Sequence, residues 1–163
     1  MTFSKGIKPR RVRLELNELA EKILPLFEVP AAEAGVTLDL RLAPAPVWVS
    51  ADPQLLRVAL SNLINNALDA LSTRKPSSEP ARIELAVEAA SGRARLLVSD
   101  NGDGVADEVR SRLFEPFHSG KASGVGIGLA LGKRIAQAHG GDLELLSFAL
   151  GATFCLSLSQ ENA

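Results

Sequence analysis

Two pairs of neighbouring strand-like segments limit this chain more than any other feature. Residues 82–89 and 93–99 each alternate apolar and polar side chains, with Ser91-Gly92 between them, which reads as a hairpin. Residues 142–148 and 153–158 read as a second, closing pair. Further alternation at 12–16 and 36–42, and a short apolar run at 47–49, supply three more strands. Helical patterns fall between them irregularly, so the expected fold is a mixed α/β two-layer sandwich and not a doubly wound parallel sheet.

The helices carry their own signals. Asn17 is the expected cap of a helix over 17–34, with Leu19, Ile23, Leu26 and Phe27 as its apolar stripe and Pro25 as a point of kinking or restart. Asp52-Pro53 joins a capping side chain to proline at the first helical position, and the helix should run to Ser72 on Leu56, Leu60, Leu63, Ala67 and Leu71. A short helix is expected over 107–113. A longer one covers 128–139 and stops at Gly140-Gly141.

At 163 residues the chain has room for one domain with a real core. Residues 1–11 read as a linker or the tail of a preceding element, and 12–163 as the domain. With 18 basic and 19 acidic side chains the net charge is -1, so no overall field draws nucleic acid or an anionic membrane. The basic run of Lys5, Lys8, Arg10, Arg11 and Arg13 is expected to be a solvated arm. A single cysteine, Cys155, excludes an internal disulfide and fits a reducing compartment. No run approaches the roughly 20 apolar residues of a membrane-crossing helix, so the expectation is a cytoplasmic domain, free-standing or part of a larger membrane-bound parent.

Chemistry concentrates in four motifs. Asn62 and Asn66 lie four apart and thus on one helix face, where their amide oxygens suit a magnesium ion that also binds phosphates. A solvated face is the alternative, but asparagine is a poor residue for a helix interior flanked by Leu63, Ile64 and Ala67. Asp100 ends the apolar run Leu96-Leu97-Val98, and Gly102 and Gly104 let the chain turn beside it. Its carboxylate can accept from the amine of adenine, although Asp-Asn-Gly is also a common plain turn.

Gly124, Gly126 and Gly128 run directly into a helix, which exposes backbone amides to a phosphate at the positive end of the helix dipole. Two familiar phosphate loops are excluded. Ala122 follows Gly120-Lys121 where Walker A needs serine or threonine, and Leu131 stands at the third Rossmann glycine. Lys121 either reaches the terminal phosphates or is solvated. Phe114 and Phe117 anchor a closing segment, plug the core, or do both. In Gly151-Ala152-Thr153-Phe154, Thr153 is expected to offer a hydroxyl near Asp100, and Cys155 to be a packed residue.

In this order the motifs resemble the N, G1, F, G2 and G3 boxes of the catalytic ATP-binding domain of two-component sensor histidine kinases. That family belongs to the GHKL superfamily with DNA gyrase, the heat-shock chaperone ATPases and MutL. The likeness covers roughly residues 12–159. It implies a Bergerat-type sandwich, a mixed sheet with helices on one face. It implies ATP and Mg2+ as cofactors, with Asn66 on the metal and Asn62 supporting it. Asp100 would read adenine, Gly102 and Gly104 would shape its pocket, and Gly124, Gly126, Gly128 and Leu129 would lie at the phosphates with Lys121. The implied partners are a dimerisation domain carrying the acceptor histidine and a response regulator. Neither nucleic acid nor direct membrane contact is implied, and the isolated domain is expected to be monomeric. The ATPase branches carry glutamate where Asn62 stands, so the resemblance favours phosphoryl transfer over hydrolysis. A hydrolase, or a non-catalytic nucleotide-binding scaffold, is the alternative function.

Overall fold

A computed structural model of the chain describes residues 6–116, 128–147 and 150–161. Five strands form one mixed sheet in the spatial order β2 (Thr37–Arg41), β4 (Arg82–Ala90), β5 (Arg93–Asp100), β7 (Ala152–Ser159), β6 (Asp142–Ser147). β2 runs parallel to β4, and every other neighbouring pair is antiparallel. The β4–β5 turn has Ser91 and Gly92 at φ 54° and 76°, the sign that a tight hairpin requires. A separate two-stranded ribbon joins β1 (Val12–Glu15) to β3 (Trp48–Ala51).

The helices α1 (Leu16–Ile23), α3 (Pro53–Ser72) and α5 (Gly128–Ala138) cover one face of the sheet. Leu56, Leu60, Leu63 and Ile64 of α3 and Ile135 of α5 are fully buried in one core with Ile83, Leu85, Leu96, Phe154 and Leu156 of the strands. Each such side chain contributes about 1.5–3 kcal/mol by leaving water. Among the described residues, the opposite sheet face holds a small buried cluster of Ala86, Leu97 and Cys155. Around it stand ion pairs of Arg41 and Arg95 with Glu84 and Glu88, at 3.2–3.9 Å. The sandwich expected from the sequence is therefore present, with helices on one side.

Two local expectations were wrong, the Asn17 cap and the solvated basic arm. The first helix is opened by Glu15, whose carboxylate accepts from the N–H groups of Asn17 at 2.9 Å and Glu18 at 3.1 Å. Asn17 instead bonds the backbone of Ala43 and Ala45 across the molecule. Within 17–34 the helix restarts at Pro25, one of the two expected outcomes: a 3-10 turn over Leu24–Phe27 separates α1 from α2 (Glu28–Glu33), because Pro25 has no N–H to continue the ladder. From Arg10 onward the basic segment is docked where a solvated arm was expected. Arg10 N–H donates to Asp52 Oδ2 at 2.9 Å, the Arg11 guanidinium reaches Ala138 O at 3.3 Å, and Arg13 stacks 4.0 Å over Trp48.

Candidate nucleotide-binding site

Residues 62, 66 and 70 of α3 succeed one another every four positions and line one side of the helix. Asn62 and Asn66 are half-buried, whereas Asn65 is exposed. At one end of this row Asn62 Nδ2 donates to Gly128 O at 3.2 Å. A Cβ on Gly128 would stand only 3.5 Å from Asn62 Cγ. At the other end the neighbour is Gly102, where a Cβ would lie 3.4 Å from Ala70 O and 3.0 Å from Asp100 Oδ1. At 1.5 Å rise per residue the row spans about 12 Å. One helix face thus connects the start of α5 to the acidic loop after β5, with Asn66 midway.

Asp100 is the last residue of β5 and is 9% exposed, paired across the sheet with Ile83 and Ala152. Gly102 N–H donates to its Oδ1 at 2.9 Å and fixes the carboxylate orientation. Gly104 turns the chain away at φ 86°. From behind, Gly151 presses on the same strand end: its φ is 89°, and a Cβ would overlap the carbonyl oxygen of Asp100. Only glycine meets both conditions.

The acidic loop is braced through Asn101. Its Oδ1 accepts from Arg82 N–H at 2.8 Å and its Nδ2 donates to Pro80 O at 2.8 Å, so the side chain extends the β4–β5 ladder by one rung. Arg74 reaches Asn101 O at 3.4 Å and Glu79 O at 2.9 Å. Asp103 accepts from Lys75 N–H at 3.0 Å. In sequence, Asn101 reads as a turn residue and nothing local singles out Arg74. The signal for Asn101 was its place immediately after a strand end, where an amide can pair with the next backbone.

Thr153 does not stand beside Asp100. Strand alternation places it on the opposite sheet face, where its Oγ1 lies 2.9 Å from Ser99 Oγ, and Ala152 is the residue opposite Asp100. Leu129 is half-buried against the core next to Gly128. Lys121, Gly124 and Gly126, with Phe117 and His118, lie outside the described residues. Phe114 packs edge-on to Phe154 with ring centroids 6.2 Å apart, and Lys133 Nζ sits 4.8 Å over its ring. The core-plug role expected of Phe114 is therefore realised.

Lys133 also pairs with Asp142 at 2.9 Å. Burial alone would raise the Asp142 pKa, but the Lys133 hydrogen bond and charge and the Leu143 N–H outweigh it and hold the carboxyl below its ordinary value. Asp52 is lowered too, chiefly by the Arg10 N–H, with the Leu55 and Gln54 amides adding to it against a burial penalty. Among the described residues, no three His, Cys, Asp or Glu side chains cluster as metal ligands. No helix there is long and apolar enough to cross a membrane.

Residues 51–162 match the family described as histidine kinase-, DNA gyrase B- and HSP90-like ATPase. The signal transduction histidine-protein kinase AtoS of Escherichia coli (strain K12) is 36% identical over 163 residues, covering 97% of this chain and 25% of that protein. The C4-dicarboxylate transport sensor protein DctB of Rhizobium meliloti (strain 1021) is 35% identical, covering 89% of this chain and 23% of that protein. The chain thus spans about a quarter of the length of these relatives. Full-length ShkA in complex with AMPPNP superposes with a TM-score of 0.81 at 28% identity, covering 98% of this chain and 33% of that one. The catalytic domain of histidine kinase ThkA superposes at 0.78 over 93% of this chain and 96% of its own, at 24% identity, a likeness of fold. The chain belongs to the histidine kinase-, DNA gyrase B- and HSP90-like ATPase family.

Proposed function

We propose that this chain is the nucleotide-binding catalytic domain of a sensor histidine kinase, which binds Mg-ATP and presents the terminal phosphate to a histidine on a separate domain. The observation that carries the reading is the single face of α3, with Gly128 against Asn62 at one end and the Asp100–Gly102 turn against Ala70 at the other. Adenine would be read by Asp100, and the triphosphate would lie toward Asn66, Asn62 and the glycine segment. The donor set suits magnesium arriving with its phosphates, because amide oxygens are hard ligands and this ion takes few protein groups. Asn66 would hold it, with Asn62 in support. Once bound, the metal neutralises phosphate charge during transfer.

Asn62 cannot take a proton from water, and its Nδ2 is committed to Gly128 O, which argues for transfer and against hydrolysis. His139 is no acceptor of phosphate, since it is buried with both ring nitrogens bonded. The acceptor is proposed to belong to another domain, with a response regulator as the downstream partner, in keeping with relatives named as sensor kinases.

Calorimetric titration with AMPPNP, with and without magnesium, tests the binding half. Magnesium-dependent affinity is expected, and its absence sinks the kinase reading in favour of a scaffold. Supplying an acceptor-helix domain with ATP should then yield acid-labile phosphohistidine on that domain. Steady ATP turnover by the chain alone would instead favour a hydrolase.

A further inference from the structure

His139 is only 4% exposed and takes no part in the face described above, yet its ring is fully engaged. Its Nε2 accepts the Asp52 N–H at 3.0 Å, which assigns the ring proton to Nδ1, 2.8 Å from Ile135 O. The neutral ring thus ties the end of α5 to the start of α3. A second tie joins the same helices where Asn62 Nδ2 meets Gly128 O at 3.2 Å. The ties are ten residues apart on α3 (52 to 62) and eleven apart on α5 (128 to 139), in opposite directions along the chain. At 1.5 Å per residue these spans are about 15 Å and about 16 Å. Two antiparallel helices are therefore pinned at matching points, one at the candidate site and one remote from it.

We infer that His139 is a positioning residue: it sets the register of α5 on α3, and so the placement of Gly128 and Leu129 relative to Asn62 and Asn66. The inference rests on the proposed nucleotide site. Packed helices can occupy alternative positions that differ by about 1–2 Å, and a polar tie biases which one is held. A single tie at Asn62 leaves α5 free to pivot about it, whereas the second tie removes that freedom. Asp52 is itself held in place: its carboxylate caps α3 at the Gln54 and Leu55 amides (3.0 and 3.2 Å) and accepts from Arg10 N–H. The Arg11 guanidinium closes the junction on Ala138 O and Ser50 O, at 3.3 and 3.5 Å.

The test compares His139→Leu, which removes the acceptor, with His139→Gln, whose side-chain oxygen can replace Nε2. Kd for AMPPNP with magnesium is measured on folded protein well below each variant's unfolding temperature. His139→Leu should weaken binding about tenfold and His139→Gln should recover most of it. A merely structural histidine would lower the unfolding temperature and leave Kd of the folded protein unchanged, and that result overturns the inference. Should His139→Leu fail to fold, amide exchange of the parent protein decides. Saturating AMPPNP must then slow exchange at the Asp52 N–H, because coupling is reciprocal, and unchanged exchange refutes the inference. If the parent binds no AMPPNP, the nucleotide-site reading fails and the inference falls with it. Parent binding with an indifferent His139→Leu defeats the inference alone.

Discussion

The two ends of the α3 row are built on different principles. Around Asp100 the chain is held by bonds within the sheet and its loops: the Asn101 amide on residues 80 and 82, Arg74 on Asn101, Lys75 on Asp103, and Gly151 pressed against the strand. At Gly128 the described contacts are between helices, the Asn62 tie and its remote counterpart at His139. The proposed base end is thus shaped by the same ladder that makes the sheet, while the proposed phosphate end depends on how one helix sits on another. On the proposed reading the base end is formed before any ligand arrives, which would lower the ordering cost of binding there. Its phosphate end is the part that a change of helix placement can tune.

The strongest way to break the contrast is to strain the base end. Gly151→Ala forces a Cβ into the Asp100 carbonyl at a φ of 89° and should cost about 3 kcal/mol or prevent folding. Urea unfolding reads this directly, and a loss under about 1 kcal/mol would mean the strand end is not rigid. Next in size is Asn66→Ala, which should weaken AMPPNP binding about a hundredfold with magnesium and leave the unfolding midpoint in place. Equal loss without magnesium would move Asn66 from the metal to the nucleotide itself.

Asn101→Ala sharpens the comparison from the other side. Two hydrogen bonds at the exposed end of the sheet vanish, so stability should fall by about 1 kcal/mol. Adenine-over-guanine preference should fall with it, since Asp100 loses its support. Preference that survives while stability drops would show that Asp100 is held without its neighbour. Asp100→Asn, which keeps the shape and changes the acceptor, should reduce the same preference without that cost in stability.

Much of this arrangement was legible in the sequence where the signal was local. Asp52-Pro53 announced α3, and the Asp52 carboxylate does accept from Gln54 and Leu55. Gly140-Gly141 announced the end of α5, where Gly141 N–H bonds Ala136 O at 2.9 Å. Ser91-Gly92 announced the central hairpin. What could not be read depends on partners far along the chain. Glu15 wins the cap from Asn17 because its carboxylate also takes the Val47 N–H at 2.8 Å, 32 residues away. Alternation gives the face of Thr153, but that Ser99 and not Asp100 stands beside it depends on the register of β5 on β7. His139 reads as a helix-end residue until Asp52 is brought beside it, 87 positions distant.

The smallest effect lies at the α5 side, in the pair of Lys133 and Asp142. Lys133 bonds Asp142 and Leu143 O and caps the ring of Phe114, so the pair helps to hold Phe114 in place. Asp142→Asn should cost about 0.5 kcal/mol at neutral pH, a modest figure because the Asp142 side chain is 43% exposed and water screens the attraction. The folded carboxyl titrates below its ordinary value of 3.8. Stability from the pair is therefore complete above that value and is lost as pH falls through the lower folded one. Unfolding free energies of the parent and Asp142→Asn should accordingly differ at pH 7 and converge in acid. A gap that persists below the folded pKa would assign the effect to packing around Lys133 and not to charge.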